Sequence, residues 1–149
     1  MVLDLLRRLT APDPQPLPYD DARVALAALL VRLARADGDY AAIEKAQIDR
    51  LLAHRYSLSK DAAQALRAEA EELETQAPDT VRFTRAIKQA VPYEDRVHVI
   101  EALWFIVLAD GTRDTEEDAL LRMIAPMLGV NDRDSNLARK RVEDTHYGD

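Results

Sequence analysis

Apolar residues along this chain recur with helical period, and the segments differ in how much of the helix they wrap. Over residues 19–36, Val24, Leu26, Ala27, Leu29, Leu30, Val31, Leu33 and Ala34 surround most of a helix, the pattern of an element buried on all sides. Residues 93–109 repeat it, apolar almost all round from Val97 onward and containing Trp104, the one tryptophan. The other segments are one-sided. A helix over about 42–54 turns Ile43, Ile48, Leu51 and Leu52 inward. The next, from the capping Ser59 to about Gln76, is polar, with Glu69, Glu71, Glu72 and Glu74 expected on a solvated face. Pro78 breaks it, and Asp79 or Thr80 caps a short fourth helix that faces the core with Val81, Ala86, Ile87 and, as a further candidate, Phe83. Pro92 suits the first turn of the fifth helix. A sixth spans 115–128 and stops at Gly129, and Asn131 or Asp132 caps a seventh that runs through Leu137 and Val142. No stretch alternates with period two, so no strand is expected.

The two ends read differently. Val2, Leu3, Leu5, Leu6 and Leu9 mark one side of a short amphipathic helix, and Pro12, Pro14, Pro16 and Pro18 make the following stretch an extended linker. Residues 1–18 are therefore expected as a flap and linker, residues 19–149 as a single helical domain, and the tail from Asp144 as frayed. A shift of 73 residues carries Asp37-Gly38 onto Asp110-Gly111 and also aligns Arg23 with Arg96, Leu30 with Leu103 and Ala46 with Ala119. The expected fold is all-α, about seven helices, with an internal duplication of a helix-loop-helix unit over about 20–56 and 93–129.

Composition narrows the functions. A chain of 149 residues, 48% apolar, suits one well-buried core. With no cysteine, disulfides, thiolate metal sites and cysteine nucleophiles are excluded. The longest apolar run, residues 102–109, is far short of a membrane span, and residues 1–9 lack the features of a secretory signal, so a cytoplasmic location is expected. A net charge of −7 repels phosphate backbones, which argues against nucleic acid as a main partner and for cations or basic protein surfaces. Membrane association is expected only peripherally, through a partner or the N-terminal helix.

Candidate chemistry is confined to the two acidic loops. Asp37 and Asp110 each follow a helix C-terminus, where the helix dipole disfavours a carboxylate. In one explanation each Asp turns forward onto the N–H groups that open the next helix. Asp114 and Glu117 then have the spacing of a capping box, whereas Ala41 stands in the cap position before Glu44 and offers no acceptor. In the other, Asp37, Asp39 and Glu44, and Asp110, Asp114 and Glu117, supply oxygens to a hard divalent cation such as calcium or magnesium. An EF-hand is ruled out, because Ile48 or Leu121 falls at its twelfth position. His54, His98 and His146 are widely separated and form no metal motif, and His98 has Glu94 and Glu101 as partners on its own helix. Trp104, Phe105 and Tyr93 are expected in the core, and Arg139-Lys140-Arg141 on a solvated face. No phosphate-binding glycine loop or nucleophile elbow occurs, so no enzyme is expected.

Leu33-Ala34-Arg35-Ala36-Asp37-Gly38 with Glu44, and Ala102-Leu103-Trp104 leading into Ala109-Asp110-Gly111 with Glu117, resemble the TerB family, named for tellurite resistance protein B. They also resemble the related domain that precedes the J-domain in some membrane-anchored DnaJ-like co-chaperones. The resemblance covers roughly residues 20–142. It implies an all-helical fold with an internal repeat, association with tellurite and chemical-stress systems, and metal binding by clustered acidic residues, to which Asp37, Glu44, Asp110 and Glu117 correspond. Ala41 departs from the acidic or capping residue usual in relatives, and residues 1–18 lie outside the shared core. Two functions from different classes follow: a cation-binding stress module, and a metal-free helical adaptor that recruits a protein partner through a groove or the Leu-rich flap.

Overall fold

Helix α1, Tyr19–Ala34, loses nearly its whole circumference to protein: Ala25, Ala27, Ala28, Leu29, Leu30, Val31, Leu33 and Ala34 are all 0% exposed. The computed structural model describes residues 19–36, 40–76, 80–108 and 115–147, with the side chains of 19–21, 115–117 and 145–147 left outside the description. The remaining helices are α2 (Ala42–Tyr56), α3 (Lys60–Gln76), α4 (Val81–Ala90), α5 (Tyr93–Leu108), α6 (Thr115–Met127) and α7 (Asp132–Tyr147). Among the described residues there are seven helices and no strand. None of these helices is long and apolar enough to cross a membrane. The flap and linker expected over 1–18, and Asp79 as a cap, lie outside the described residues.

A helix with no polar stripe must be wrapped, and α1 packs most extensively on α3 and α4, then on α5, with α2 and α6 completing its surroundings. Helix α5 in turn lies chiefly on α7. Its inner face is Val99, Ile100, Leu103, Trp104, Ile106 and Val107, whereas Ala102 and Phe105 are only half-buried and His98 is exposed. The buried central pair is therefore asymmetric: α1 is enclosed, and α5 keeps one partly open side.

Helix ends follow local chemistry. Ser59 Oγ accepts the Ala62 N–H at 3.1 Å and caps α3, and Asn131 Oδ1 accepts the Asp134 N–H at 2.8 Å and caps α7. Helix α6 ends in a complete Schellman motif, with Gly129 at φ 76°, its N–H on Pro126 O at 2.9 Å and the Val130 N–H on Ala125 O at 3.0 Å. A Cβ at Gly129 would also come within 3.3 Å of Lys88 Cε. Thr80 does not cap α4. It sits in helical backbone, and its hydroxyl approaches Met127 Sδ at 3.9 Å.

Two apolar positions expected to face inward are exposed, Ile43 at 62% and Val81 at 42%, and so is Leu137, at 41%. Angular position explains each. At 100° per residue, Ile43 lies about 180° around α2 from the buried Leu52. Val81 is about 140° from the centre of the stripe formed by Phe83, Thr84, Ala86 and Ile87. Leu137 is about 130° from the inner stripe of Ser135, Ala138 and Val142. Ser135 takes the inward place because Trp104, fully buried, carries an indole N–H that needs an acceptor, and Ser135 Oγ supplies it at 3.2 Å.

Replacing Trp104 by Ala is expected to lower unfolding stability by roughly 3 to 5 kcal/mol, whereas Ser135→Ala, which orphans only the indole N–H, is expected to cost about 1 to 3 kcal/mol. Urea midpoints at constant slope measure both.

Candidate functional site

The described residues on both sides of the first acidic loop are held by α1 and α3. Hydrogen bonds from Arg35 N to Val31 O (2.9 Å) and Ala36 N to Leu33 O (3.2 Å) prolong α1 up to Ala36, the residue before Asp37. Across the loop, the Tyr40 hydroxyl donates to Glu71 Oε2 at 2.6 Å, and the Arg35 guanidinium lies over the Tyr40 ring at 4.9 Å. Glu74 receives Arg32 Nε at 2.9 Å and Arg35 Nη1 at 2.5 Å, and Arg67 joins Asp49 (2.5 Å) to Glu71 (2.8 Å). Glu71 and Glu74 thus do not belong to a solvated face, as their spacing in an acidic helix suggested. They are consumed in bracing α3 against both edges of the loop. Burial raises the Tyr40 pKa, reinforced by the Glu71 hydrogen bond and charge. For Glu71, burial pushes upward, but the Tyr40 and Arg67 hydrogen bonds and the Arg67 charge outweigh it and hold the carboxyl below its ordinary value.

Glu44, in the first turn of α2, is the one candidate cation ligand whose side chain is described. Its Oε1 accepts the Ala41 N–H at 3.3 Å, which closes half of a capping box, and Ala41 has no side-chain acceptor to close the other half. Ala41 is already extended, at φ −80° and ψ 163°, the backbone of an N-cap. Asp37, Asp39, Asp110 and Asp114 lie outside the described residues, as does the Glu117 side chain. Among the described residues, no group of three or more His, Asp or Glu is placed to hold a metal ion. As donors the six residues are carboxylates throughout, a set that fits a hard divalent cation and no softer metal.

A second feature is a cleft of about 740 Å³ between α1, α2, α5 and α7. Its floor includes Leu26, Leu30 and Leu52, all buried, and its walls include Leu51, Ala102, Phe105 and Val142, all half-buried. His54, Arg55, His98, Glu101 and Arg141 also line it. Two histidines that are 44 positions apart in sequence therefore share one cleft. Glu101 meets His98 Nδ1 at 3.1 Å and Arg141 Nε at 3.3 Å. The expected basic face at 139–141 is thereby divided: Arg141 turns to the cleft, Arg139 lies over the Trp104 ring at 5.7 Å, and Lys140 is exposed. Phe105 belongs to the cleft wall more than to the core, and Tyr93, half-buried, donates its hydroxyl to Asp134. Sequence reasoning missed this cleft because its polar residues come from three helices and no two of the three share a local motif.

A family model described as "Tellurite resistance protein TerB" matches residues 23–140. No curated protein and no solved structure matches the chain.

Ala41→Asp is expected to stabilise the fold by about 1 kcal/mol, because the backbone is already in cap geometry and only the acceptor is missing; a urea midpoint that falls would show crowding of acidic oxygens at this loop. The Glu71 carboxyl gives a pH signature. Its folded pKa lies below the ordinary 4.5, so its contribution is complete above that value and is lost as pH falls through the folded pKa. Glu71→Gln is expected to be less stable than the parent at neutral pH, by about 1.5 to 3 kcal/mol. The gap should narrow as urea unfolding is repeated at successively lower pH.

Proposed function

The chain belongs to the TerB family, and from that premise we propose that it is a non-enzymatic module of the tellurite and chemical-stress response that binds a divalent cation through its two Ala-Asp-Gly loops. The supporting observation is positional. The hydrogen-bonded turn of α1 runs to the residue before Asp37, and α5 ends at Leu108, two residues before Asp110. Each Asp therefore follows a row of helix carbonyls that repels its charge, and each such row belongs to one of the two apolar helices of the core. A cation relieves that repulsion. Asp37, Asp39 and Glu44 would hold it in the first loop, and Asp110, Asp114 and Glu117 in the second, with the ion's chemistry limited to tying carboxylates together and stiffening the joints between helices.

The bracing around the first loop favours this role. Tyr40 and Arg35, on either side of residues 37–39, are both fastened to α3, so the ends of the loop are already ordered, and less ordering entropy opposes binding. The alternative, a metal-free adaptor for a protein partner, draws its support from the open cleft beside α5.

Thermal unfolding in calcium, magnesium or manganese at constant ionic strength tests the proposal. For a dissociation constant of about 10 μM, 1 mM cation should stabilise the fold by roughly 2.7 kcal/mol, a rise in Tm on the order of 5 °C. Asp37→Asn and Asp110→Asn should abolish the ion-specific part while keeping a side chain able to cap. A parent that shifts no more than its sodium control, or Asn variants that shift as much as the parent, would leave the adaptor reading in its place.

A further inference from the structure

The cleft between α1, α2, α5 and α7 combines an apolar interior with a local excess of positive charge on a protein whose net charge is −7. Its charged lining is Arg55, Arg141 and Glu101. Glu101 is already engaged, by His98 at 3.1 Å and by Arg141 at 3.3 Å. Arg55 has no carboxylate partner among the described residues: one of its terminal nitrogens makes a long contact, 3.4 Å, to the Asp95 carbonyl, and its guanidinium lies 5.7 Å from the centre of the Tyr56 ring. Beyond that long contact its terminal nitrogens make no hydrogen bond among the described residues, and a carboxylate is the acceptor that matches a guanidinium's fork best.

We propose that this cleft binds a single-chain monoanionic amphiphile, an aliphatic carboxylate, with its head at Arg55 and its chain on Leu51, Ala102, Phe105 and Val142. These four walls are half-buried and apolar, so a chain laid on them removes from water what the fold has left partly wet. The volume, about 740 Å³, is within the range of small-molecule sites. Charge selects the head. One surplus guanidinium neutralises one negative charge, while Glu101 on the same lining opposes a second, which disfavours a phosphate dianion. A neutral lipid would leave Arg55 without a carboxylate, and an acidic helix would bring a row of charges to a lining of two guanidinium groups and one carboxylate. The inference is independent of the cation reading, because none of the lining residues belongs to the acidic loops.

Calorimetric titration of the full chain with octanoate, decanoate and dodecanoate, each below its micellar concentration, tests it. Saturable one-to-one binding is expected, with Kd falling about fourfold per added methylene, and decanol binding at least tenfold more weakly than decanoate. Arg55→Gln should weaken decanoate about tenfold while preserving the dependence on chain length. Ala102→Phe, which fills the cleft, should abolish binding of all three, and Val142→Phe serves the same purpose if circular dichroism shows the first variant to be misfolded. Asp37→Asn should bind decanoate as the parent does. Absence of saturable binding, equal affinity for decanol, or indifference to Arg55→Gln would overturn the assignment. So would tighter, Arg55-dependent binding of a synthetic acidic amphipathic helix, or dimerisation in sedimentation that Ala102→Phe removes, since these would give the cleft to a protein partner or a second copy.

Discussion

Dehydration of α1 on every side constrains the rest of the molecule. A helix without a polar stripe has no face that water can tolerate, so other helices must close around it, and five of them do: α2 to α6 all touch it. Its alanines, at 25, 27, 28 and 34, allow those neighbours to come close, and its leucines fill the gaps between them. The enclosure also dictates where charge can emerge. Arg23 and Arg32 are the only charged residues along the buried stretch of α1, and both leave it sideways onto aromatic faces, Arg23 over Tyr56 at 4.8 Å and Arg32 over Phe83 at 5.6 Å.

From that enclosure follows the network at the α1 and α3 seam. Arg32 and Arg35 reach Glu74, and Tyr40 and Arg67 reach Glu71, so the acidic side of α3 becomes an interface. Ion pairs on an open surface contribute little. These are largely withdrawn from solvent and share partners, so removing one carboxylate strands two donors, and the effect exceeds that of an isolated pair. Their position gives them a second consequence. They fasten Arg35 and Tyr40, the described residues on either side of 37–39, to α3.

Helix α5 lacks that complete enclosure. Its inner side anchors the core through Trp104, whose indole is satisfied by Ser135 of α7 and flanked by the guanidinium groups of Arg122 and Arg139. Its outer side, with His98, Glu101, Ala102 and Phe105, forms one wall of the cleft. One helix thus anchors the core on one side and walls the cleft on the other, the two sides divided by angular position around its axis.

Local sequence by itself determined the seven described helices, the burial of α1 and of Trp104, the cap at Ser59 and the stop at Gly129, and it narrowed the cap of α7 to Asn131 or Asp132, because each depends on residues within a few positions of one another. The resemblance carried by the two Ala-Asp-Gly motifs was likewise legible, since a motif is local. Local pattern failed where the outcome rested on which neighbour stood opposite. Ile43, Val81 and Leu137 are apolar yet exposed, because the neighbours cover only one arc of each helix and these residues lie outside it. Glu71 and Glu74 read as solvent-facing, and only the arrival of Arg32, Arg35, Tyr40 and Arg67 from other segments made them interface. The cleft was invisible for the same reason. Arg55, His98, Glu101 and Arg141 come from three helices, and neither their convergence nor the want of a carboxylate partner at Arg55 is decided until those helices pack, because pairing is a property of the assembled surroundings and not of the residue.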